Sequence, residues 1–254
     1  MENKTYLITG ATGGIGYNLA CFLAGKNNNI ILCGRNIEKL NISLEKINKI
    51  SACNHSILEL DLEKIEDIKD KFNEAKNKYK KIDGFIHCAG IALLCPAHLT
   101  DYNKMMSSFN INYFSFIEIA RLFAKQNFNG GECGNIIGIS SISATYPESG
   151  RIAYATSKAA IEVAVKILSK ELIKKNIRCN ALRPALVKTN IAYDFLDMIG
   201  QNVDNQNIQP LGIIEPEEIS YMIDYLLSNK SNKITGSIFE INSGGGNLVD
   251  VSYL

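Results

Sequence analysis

The sequence predicts an α/β protein built on a doubly wound parallel sheet of about seven strands, with helices on both faces. Short apolar runs alternate with longer amphipathic segments, and most of the short runs are apolar throughout. Strands that are covered on both faces are expected to be continuously apolar, and repeated β–α alternation indicates parallel strands with right-handed crossovers. Because no Pro/Ser-rich linker or change of composition divides the chain, we expect a single domain over residues 1–254.

The elements follow in order along the chain. After the first apolar run, Ile15, Leu19, Phe22 and Leu23 form one helical stripe that ends at Gly25. The charged segment 63–81 predicts a solvated helix. The candidate strands are residues 6–8, 30–33, 57–60, 85–88, 136–139, 179–182 and 238–241.

Composition excludes several classes of function. The net charge is +1 and no basic cluster contains interleaved aromatic residues, so we expect no nucleic-acid partner and no membrane surface. Seven scattered cysteines without a Cys-x-x-Cys pair predict free thiols and no metal site. The chain opens without an apolar leader and has no run long enough to cross a bilayer, which predicts a soluble, cytoplasmic protein.

A glycine-rich turn follows the first strand, in the stretch "TGATGGIG" at 9–16. The N–H groups at the start of the next helix point into such a turn, and glycines let a phosphate approach the backbone closely. The pattern predicts a nucleotide site rather than a simple tight turn. Its class stays open, because the glycines can be counted as 10, 14 and 16 or as 10, 13 and 16.

A second motif joins a strand end to the helix that follows. Tyr154 and Lys158 are four residues apart, so their side chains share one helix face. An ammonium group beside a phenol lowers the phenol's pKa, and such a pair can exchange a proton with a substrate oxygen. Ser141, at the end of the preceding strand, would hydrogen-bond the same oxygen. The spacing alone also occurs on ordinary surface helices; the serine and the glycine turn favour catalysis.

These motifs resemble those of the short-chain dehydrogenase/reductase family, in its compact, single-domain, Rossmann-type form, over essentially the whole chain. The turn at 9–16 is similar to the family's Thr-Gly-x-x-x-Gly-x-Gly, and "HCAG" at 87–90 stands where Asn-Asn-Ala-Gly is usual. "RPALVKT" at 183–189 and "ITGSIFEINSGG" at 234–245 resemble the segment beside the nicotinamide and the closing strand. The resemblance selects the count Gly10, Gly14, Gly16. The other count is typical of a branch that acts on nucleotide sugars.

The resemblance also implies a set of site residues. The implied catalytic residues are Ser141, Tyr154, Lys158 and Asn112, the last as part of a water-mediated relay. The implied cofactor contacts are Gly10, Thr12, Gly13, Gly14, Ile15, Gly16, Arg35, Asp61, Leu62, Cys88, Ala89, Gly90, Tyr154, Lys158, Pro184, Val187 and Thr189. His87 and Cys88 depart from the family's two asparagines, Ala185 from its glycine, and Asn242-Ser243 from its Asp-Gly. We expect His87 to be a packing residue rather than a general base.

The end of the second strand bears on the choice of cofactor. NAD-dependent relatives carry Asp or Glu there to bind the ribose 2′-hydroxyl, whereas this chain has Gly34 followed by Arg35. A guanidinium without a neighbouring carboxylate suits a 2′-phosphate. The sequence therefore predicts NADP(H) rather than NAD(H); the alternative is a solvated Arg35 and no preference.

The expected function is the reduction of a small-molecule carbonyl, as a ketone, 3-oxoacyl or sugar-linked group, by hydride transfer from NADPH, with Tyr154 as proton donor. Two alternatives stay open: an NAD-dependent polyol or sugar-alcohol dehydrogenase working oxidatively, and a non-catalytic, cofactor-sensing regulator. Segments 91–100, 142–151 and 189–213 are the expected substrate loops, with a possible lid at 201–209. Helical segments 102–126 and 153–172 are apolar on more than one face, which predicts a homodimer or homotetramer.

Overall fold

The computed structural model describes residues 3–126, 128, 132–198 and 209–245. Within them, seven strands form one sheet in the order β3-β2-β1-β4-β5-β6-β7, and every neighbouring pair is parallel. The predicted fold class is confirmed, and each predicted apolar run overlaps one strand. The strands are β1 (Thr5–Thr9), β2 (Asn29–Gly34), β3 (Ser56–Glu59), β4 (Gly84–His87), β5 (Gly134–Ile139), β6 (Ile177–Pro184) and β7 (Ile238–Ile241).

Helices cover both faces of the sheet. Along β1, Leu7 packs into a core cluster with Phe72 and Phe116, while the next residue, Ile8, packs with Leu19 and Ile223 on the opposite face. The alternation of side chains along a strand thus divides the apolar interior into two cores. The helices are α1 (Gly14–Gly25), α2 (Ile37–Asn48), α3 (Ile68–Tyr79), α4 (Tyr102–Phe109), α5 (Ser115–Phe123), α6 (Ile152–Leu172), α7 (Asn190–Met198) and α8 (Pro216–Leu227).

Two helical segments differ from the sequence-based expectation. Segment 63–81 begins with a short 3₁₀ turn, Ile65–Asp67, before α3. Segment 102–126 is not one regular helix, because a π-helical segment, Asn110–Phe114, separates α4 from α5. A π-helical segment adds a residue to the turn, which periodicity in a short apolar sequence does not reveal.

The crossover from β3 to β4 reverses the direction in which the sheet is wound. β1 is the third strand of the sheet, with β2 and β3 on one side and β4 to β7 on the other. At such a reversal the loops after neighbouring strands diverge and leave a crevice at their carboxyl ends. None of the helices in the described ranges is long and apolar enough to span a membrane.

Candidate active site

A crevice runs along the carboxyl edge of the sheet, and the sequence-predicted residues line it in two parts that share Gly90. We call them the β1–β3 part and the β5–β6 part, after the strands that border them. The β1–β3 part is lined by Gly10, Thr12, Arg35, Asp61, Leu62, Ala89 and Gly90. The β5–β6 part is lined by Ile15, Cys88, Gly90, Ser141, Tyr154, Lys158, Pro184, Val187 and Thr189.

Three predicted glycines, Gly13, Gly14 and Gly16, shape the turn without lining either part. A Cβ at Gly16 would lie 2.4 Å from the carbonyl oxygen of Gly10, so the start of α1 packs directly on the backbone at the end of β1. At Gly13, by contrast, a Cβ would meet no atom within 4 Å. Gly13 is also the N-cap of α1 and offers no side-chain cap to the first N–H groups. The open space and the uncapped helix start together fit a phosphate group.

Ser141, Tyr154 and Lys158 converge in the β5–β6 part. Ser141 follows β5 and lies close enough to Tyr154 for its hydroxyl to lower the pKa of the phenol. Lys158 is buried one turn along α6, with its Nζ 5.9 Å from the centre of the Tyr154 ring. The Lys158 ammonium donates a hydrogen bond to the carbonyl of Ile139 at 2.8 Å. The residue types needed to polarise a substrate oxygen and to move a proton are therefore adjacent.

The acidity of Tyr154 differs from the sequence-based expectation. Burial raises the pKa of the Tyr154 phenol and outweighs the lowering by Arg151 and by the Ser141 hydroxyl. Burial also lowers the pKa of Lys158 to about 8. The expectation that Lys158 acidifies the phenol overlooked the cost of desolvating both groups, which a sequence does not display.

Asn112 lies in the π-helical segment and is fully buried. Its side-chain oxygen accepts a hydrogen bond from the Ile91 N–H at 2.9 Å, and its amide nitrogen donates to the Ile91 carbonyl and to Ser157 Oγ. A Cβ on Gly90 would lie 3.3 Å from the Asn112 oxygen and 3.1 Å from Lys158 Nζ. Asn112 therefore fixes the chain after β4 against α6, and Gly90 leaves room for that contact.

His87 is a packing residue in the structure, in line with the prediction. It is fully buried and packs beside the rings of Phe85 and Phe116. Its Nε2 lies 3.2 Å from the Ile111 carbonyl and its Nδ1 lies 3.0 Å from Thr9 Oγ1, so these partners assign the proton to Nε2. Burial lowers the pKa of His87 to about 3, which keeps the ring neutral. Burial likewise raises the pKa of the Cys88 thiol to about 12.

A network that the sequence analysis did not single out fixes α6 to the strand ends. Glu162, one turn beyond Lys158, accepts hydrogen bonds from Ser140 Oγ at 2.7 Å and from Arg183 Nε at 2.8 Å and Nη2 at 2.5 Å. Arg183 also donates to Glu240 at 3.0 Å. The network joins β5, β6, β7 and α6 directly behind Ser141. Its only signal in the sequence is the four-residue spacing from Lys158 to Glu162.

The substrate loops are described in part. Leu94, Ile191, Asp194 and Arg151 line a recess beside Gly90, whereas Ile142 packs beneath the loop with Leu186, Ala192 and Leu196. The predicted lid at 201–209 lies outside the described residues except for Gln209, which is buried and bonds the backbone of Leu186. Among the residues that the structure describes, no group of three His, Cys, Asp or Glu side chains could hold a metal ion.

Comparison with known proteins gives consistent matches over nearly the whole chain. A family model described as enoyl-(acyl carrier protein) reductase matches residues 10–245. The chain is 30% identical over 250 residues to the 3-oxoacyl-(acyl-carrier-protein) reductase of Aquifex aeolicus, covering 96% of this chain and 98% of the relative. It is also 30% identical over 244 residues to carbonyl reductase family member 4 of Xenopus laevis, with coverage of 95% and 98%.

Solved structures share the fold. A short-chain type dehydrogenase/reductase from Mycobacterium ulcerans superposes with a TM-score of 0.88 at 24% identity, covering 96% of this chain and 90% of that one. A 3-ketoacyl-(acyl-carrier-protein) reductase from Brucella melitensis, solved with NADH, gives a TM-score of 0.87 at 22% identity, with coverage of 96% and 99%. Taken with the family match and the relatives at 30% identity, these findings establish that the chain belongs to the short-chain dehydrogenase/reductase family.

Proposed function

We propose that the protein reduces a carbonyl group to an alcohol, with NADPH as the preferred hydride donor and Tyr154 as the proton donor. The observation that carries the proposal is the convergence of Ser141, Tyr154 and Lys158 in one part of a crevice whose other part begins at the glycine turn. A non-catalytic regulator would not need these three side chains in one part of the crevice.

The residues present fit a nicotinamide dinucleotide. The open space at Gly13 and the uncapped start of α1 would hold the phosphates, Asp61 and Leu62 would border the adenine, and Thr189 and Val187 the nicotinamide. When bound, this cofactor supplies or accepts the hydride.

The chain's own residues handle the substrate oxygen. Ser141 would donate a hydrogen bond to the carbonyl oxygen and stabilise the negative charge that develops there. Tyr154 would give its phenolic proton to that oxygen, and Lys158 would stabilise the tyrosinate that remains. Asn112 keeps the chain after β4 in place beside Lys158 through its hydrogen bonds to Ile91; its part in a proton relay stays a prediction.

Substitution of Tyr154 tests this assignment. General acid–base catalysis contributes about 10²–10⁴-fold in rate, so we expect Tyr154→Phe to lose at least about 10²-fold in turnover while binding NADPH as the wild type does. The assay is NADPH oxidation against a panel of 3-oxoacyl thioesters, simple ketones and sugar-linked ketones. We test 3-oxoacyl thioesters first, a choice supported by the name of the Aquifex relative and by Leu94 and Ile191 in the recess beside Gly90. Turnover that survives in Tyr154→Phe would refute the role.

Arg35 supports the preference for NADPH, because it is exposed, lines the β1–β3 part and directly follows β2. Hydrogen bonds to charged groups contribute about 1.5–3 kcal/mol, so Arg35→Leu should weaken NADPH binding about 10–100-fold and leave NADH binding unchanged. Gly34→Asp is the matched variant at the neighbouring position, where it adds the carboxylate that NAD-dependent relatives carry. The new Cβ would make only ordinary contacts, at 3.5 Å to Leu40 and 3.6 Å to Thr12. Fluorescence titration that finds equal affinities in the wild type would favour the oxidative NAD-dependent alternative.

We also propose that the chain acts as one domain and assembles as a homodimer or homotetramer. Phe114, Val163 and Ile167 are exposed apolar residues around α5 and on α6, in the segments for which a second buried surface is predicted. Sedimentation equilibrium would find a monomer if this proposal is wrong. The cytoplasmic location stays a prediction from the sequence.

A further inference from the structure

A buried ion pair lies next to Tyr154, in the loop that leads into α6. The Glu148 and Arg151 side chains are only 3% and 6% exposed, and Arg151 Nη1 lies 3.8 Å from Glu148 Oε1. This separation is too long for a hydrogen bond, so the two groups interact by charge alone. Neither the motifs of the sequence nor the proposed chemistry uses them.

The Arg151 guanidinium lies closer to the Tyr154 ring than the Lys158 ammonium group does. Its guanidinium carbon lies 4.9 Å from the centre of the Tyr154 ring, against 5.9 Å for Lys158 Nζ. Arg151 also lines the β5–β6 part of the crevice together with Ser141 and Tyr154. A cation within about 4–6 Å of an acid favours its ionised form. Arg151 is therefore placed to stabilise a tyrosinate.

Glu148 opposes this effect. Both of its carboxylate oxygens are buried, and within the described part of the chain they have no hydrogen-bond partner. A buried charge without a hydrogen-bond partner in the protein is weakly screened, so it acts on its neighbours at longer range. Among the influences on the pKa of Tyr154, Arg151 lowers it and Glu148 raises it.

We propose that Glu148 and Arg151 together set the pH at which Tyr154 loses its proton, which makes both of them positioning residues for the reaction. The proposal rests on the proposed function of Tyr154 as proton donor. In reduction the phenolic O–H bond breaks as the alcohol O–H bond forms. In oxidation the tyrosinate takes the proton of the alcohol's hydroxyl group. The carbon that bears this hydroxyl gives up a hydride to the nicotinamide.

Among the residues that the structure describes, the other charged or titratable groups near Tyr154 are His87, Cys88, Asp194 and Lys158. Burial keeps His87 neutral and the Cys88 thiol protonated, and Asp194 of α7 is exposed to solvent. Lys158 would stabilise the tyrosinate as well, but its ammonium group lies farther from the ring than Arg151 and donates to the Ile139 carbonyl.

The test compares four variants in the oxidation of an alcohol, because this direction of the reaction needs the tyrosinate. Arg151→Gln and Glu148→Gln each remove one charge, Arg151→Lys keeps it, and Arg121→Gln is the matched control. Arg121 forms an ion pair with Glu118 at the same three-residue spacing on the exposed side of α5. The measurement is the pH dependence of alcohol oxidation by NADP⁺, with the product of the best carbonyl substrate as the alcohol.

We expect Arg151→Gln to move the midpoint of the profile upward by at least about one pH unit, which lowers oxidation about tenfold at a fixed pH below the midpoint. Glu148→Gln should move the midpoint downward by a smaller amount. Arg151→Lys should stay near the wild type, as should Arg121→Gln. A merely structural role for the pair would not shift the two profiles in opposite directions.

A second readout needs no turnover. Tyrosine labelled with ¹³C at the ring carbon that bears the hydroxyl reports ionisation by NMR in the free protein, and the Tyr154 signal is identified by its loss in Tyr154→Phe. At a fixed pH near about 10, the tyrosinate fraction should rank Glu148→Gln above the wild type and the wild type above Arg151→Gln. Shifts in the same direction, or shifts no larger than those of Arg121→Gln, would overturn the inference. Opposite shifts without any alcohol oxidation would support the inference and refute the proposed function.

Discussion

The charge on Glu162 should be a main support of the junction between α6 and the strands behind Ser141. In Glu162→Gln the amide oxygen can still accept a hydrogen bond from Ser140. The amide nitrogen, however, faces Arg183 Nη2, and because both groups are donors the 2.5 Å hydrogen bond of the wild type is lost. Loss of that charge-assisted hydrogen bond costs about 2 kcal/mol, and weakening of the Ser140 hydrogen bond costs about 1 kcal/mol more. We therefore expect a loss of about 3 kcal/mol in the free energy of unfolding.

The assay is urea unfolding followed by circular dichroism, with an unchanged m-value as the condition for comparing free energies. For a chain of this size the same loss lowers the melting temperature by about 6–12 °C. Glu240→Gln is the control, because Glu240 binds the same arginine from a side chain that is 30% exposed and should cost less than about 1 kcal/mol. If the free energies of unfolding of Glu162→Gln and Glu240→Gln differ by less than about 0.5 kcal/mol, the reasoning about the network is wrong.

Two further predictions concern the glycine turn and His87. Gly16→Ala places a Cβ 2.4 Å from a backbone oxygen and should destabilise the fold in urea unfolding. Gly13→Ala meets no atom beyond its chain neighbours within 4 Å, so it should lose at most about 1 kcal/mol in the free energy of unfolding, as alanine does in place of glycine at an N-cap. It should bind NADPH at least about tenfold more weakly, through the loss of one to two hydrogen bonds to phosphate. Tight NADPH binding by Gly13→Ala would contradict the placement of the phosphates. Because burial lowers the pKa of His87 to about 3, below its unfolded value of about 6.5, the unfolded state binds the extra proton. The contribution of neutral, buried His87 to the free energy of unfolding is therefore complete above about pH 6.5. It is lost, by up to about 1.4 kcal/mol per pH unit, as the pH falls towards about 3. His87→Asn should show a shallower acid loss in urea titrations from pH 7 to 4, and an equal slope would show that another group dominates.

The sequence predicted the sheet and most of the crevice because both depend on local patterns. A run such as 136–139 is apolar throughout, since its strand is covered on both faces, and motif residues such as Tyr154 and Lys158 follow one another at fixed spacing on a helix. Their convergence with Ser141 follows from the rule that the carboxyl ends of parallel strands meet at one edge.

The parts that the sequence did not predict depend on packing between distant segments. Glu162 and Arg183 are 21 residues apart, and their contact exists only because α6 packs beside β6. Glu148 and Arg151 have helical spacing but lie before α6, so spacing alone gave no reason to pair them. The acidity of Tyr154 depends on burial, which is a property of the completed fold.

The division of the crevice at Gly90 has a consequence for protein engineering. The residues proposed to recognise the adenosine end, such as Arg35, follow β2 and β3, while those proposed to handle the reacting oxygen, such as Ser141, follow β5 or lie on α6. Changes on the two sides share few neighbours, so their effects on free energy should sum. A designer could therefore exchange the coenzyme preference of this chain and retune its carbonyl selectivity in separate libraries, and combine the winners without a further round of optimisation.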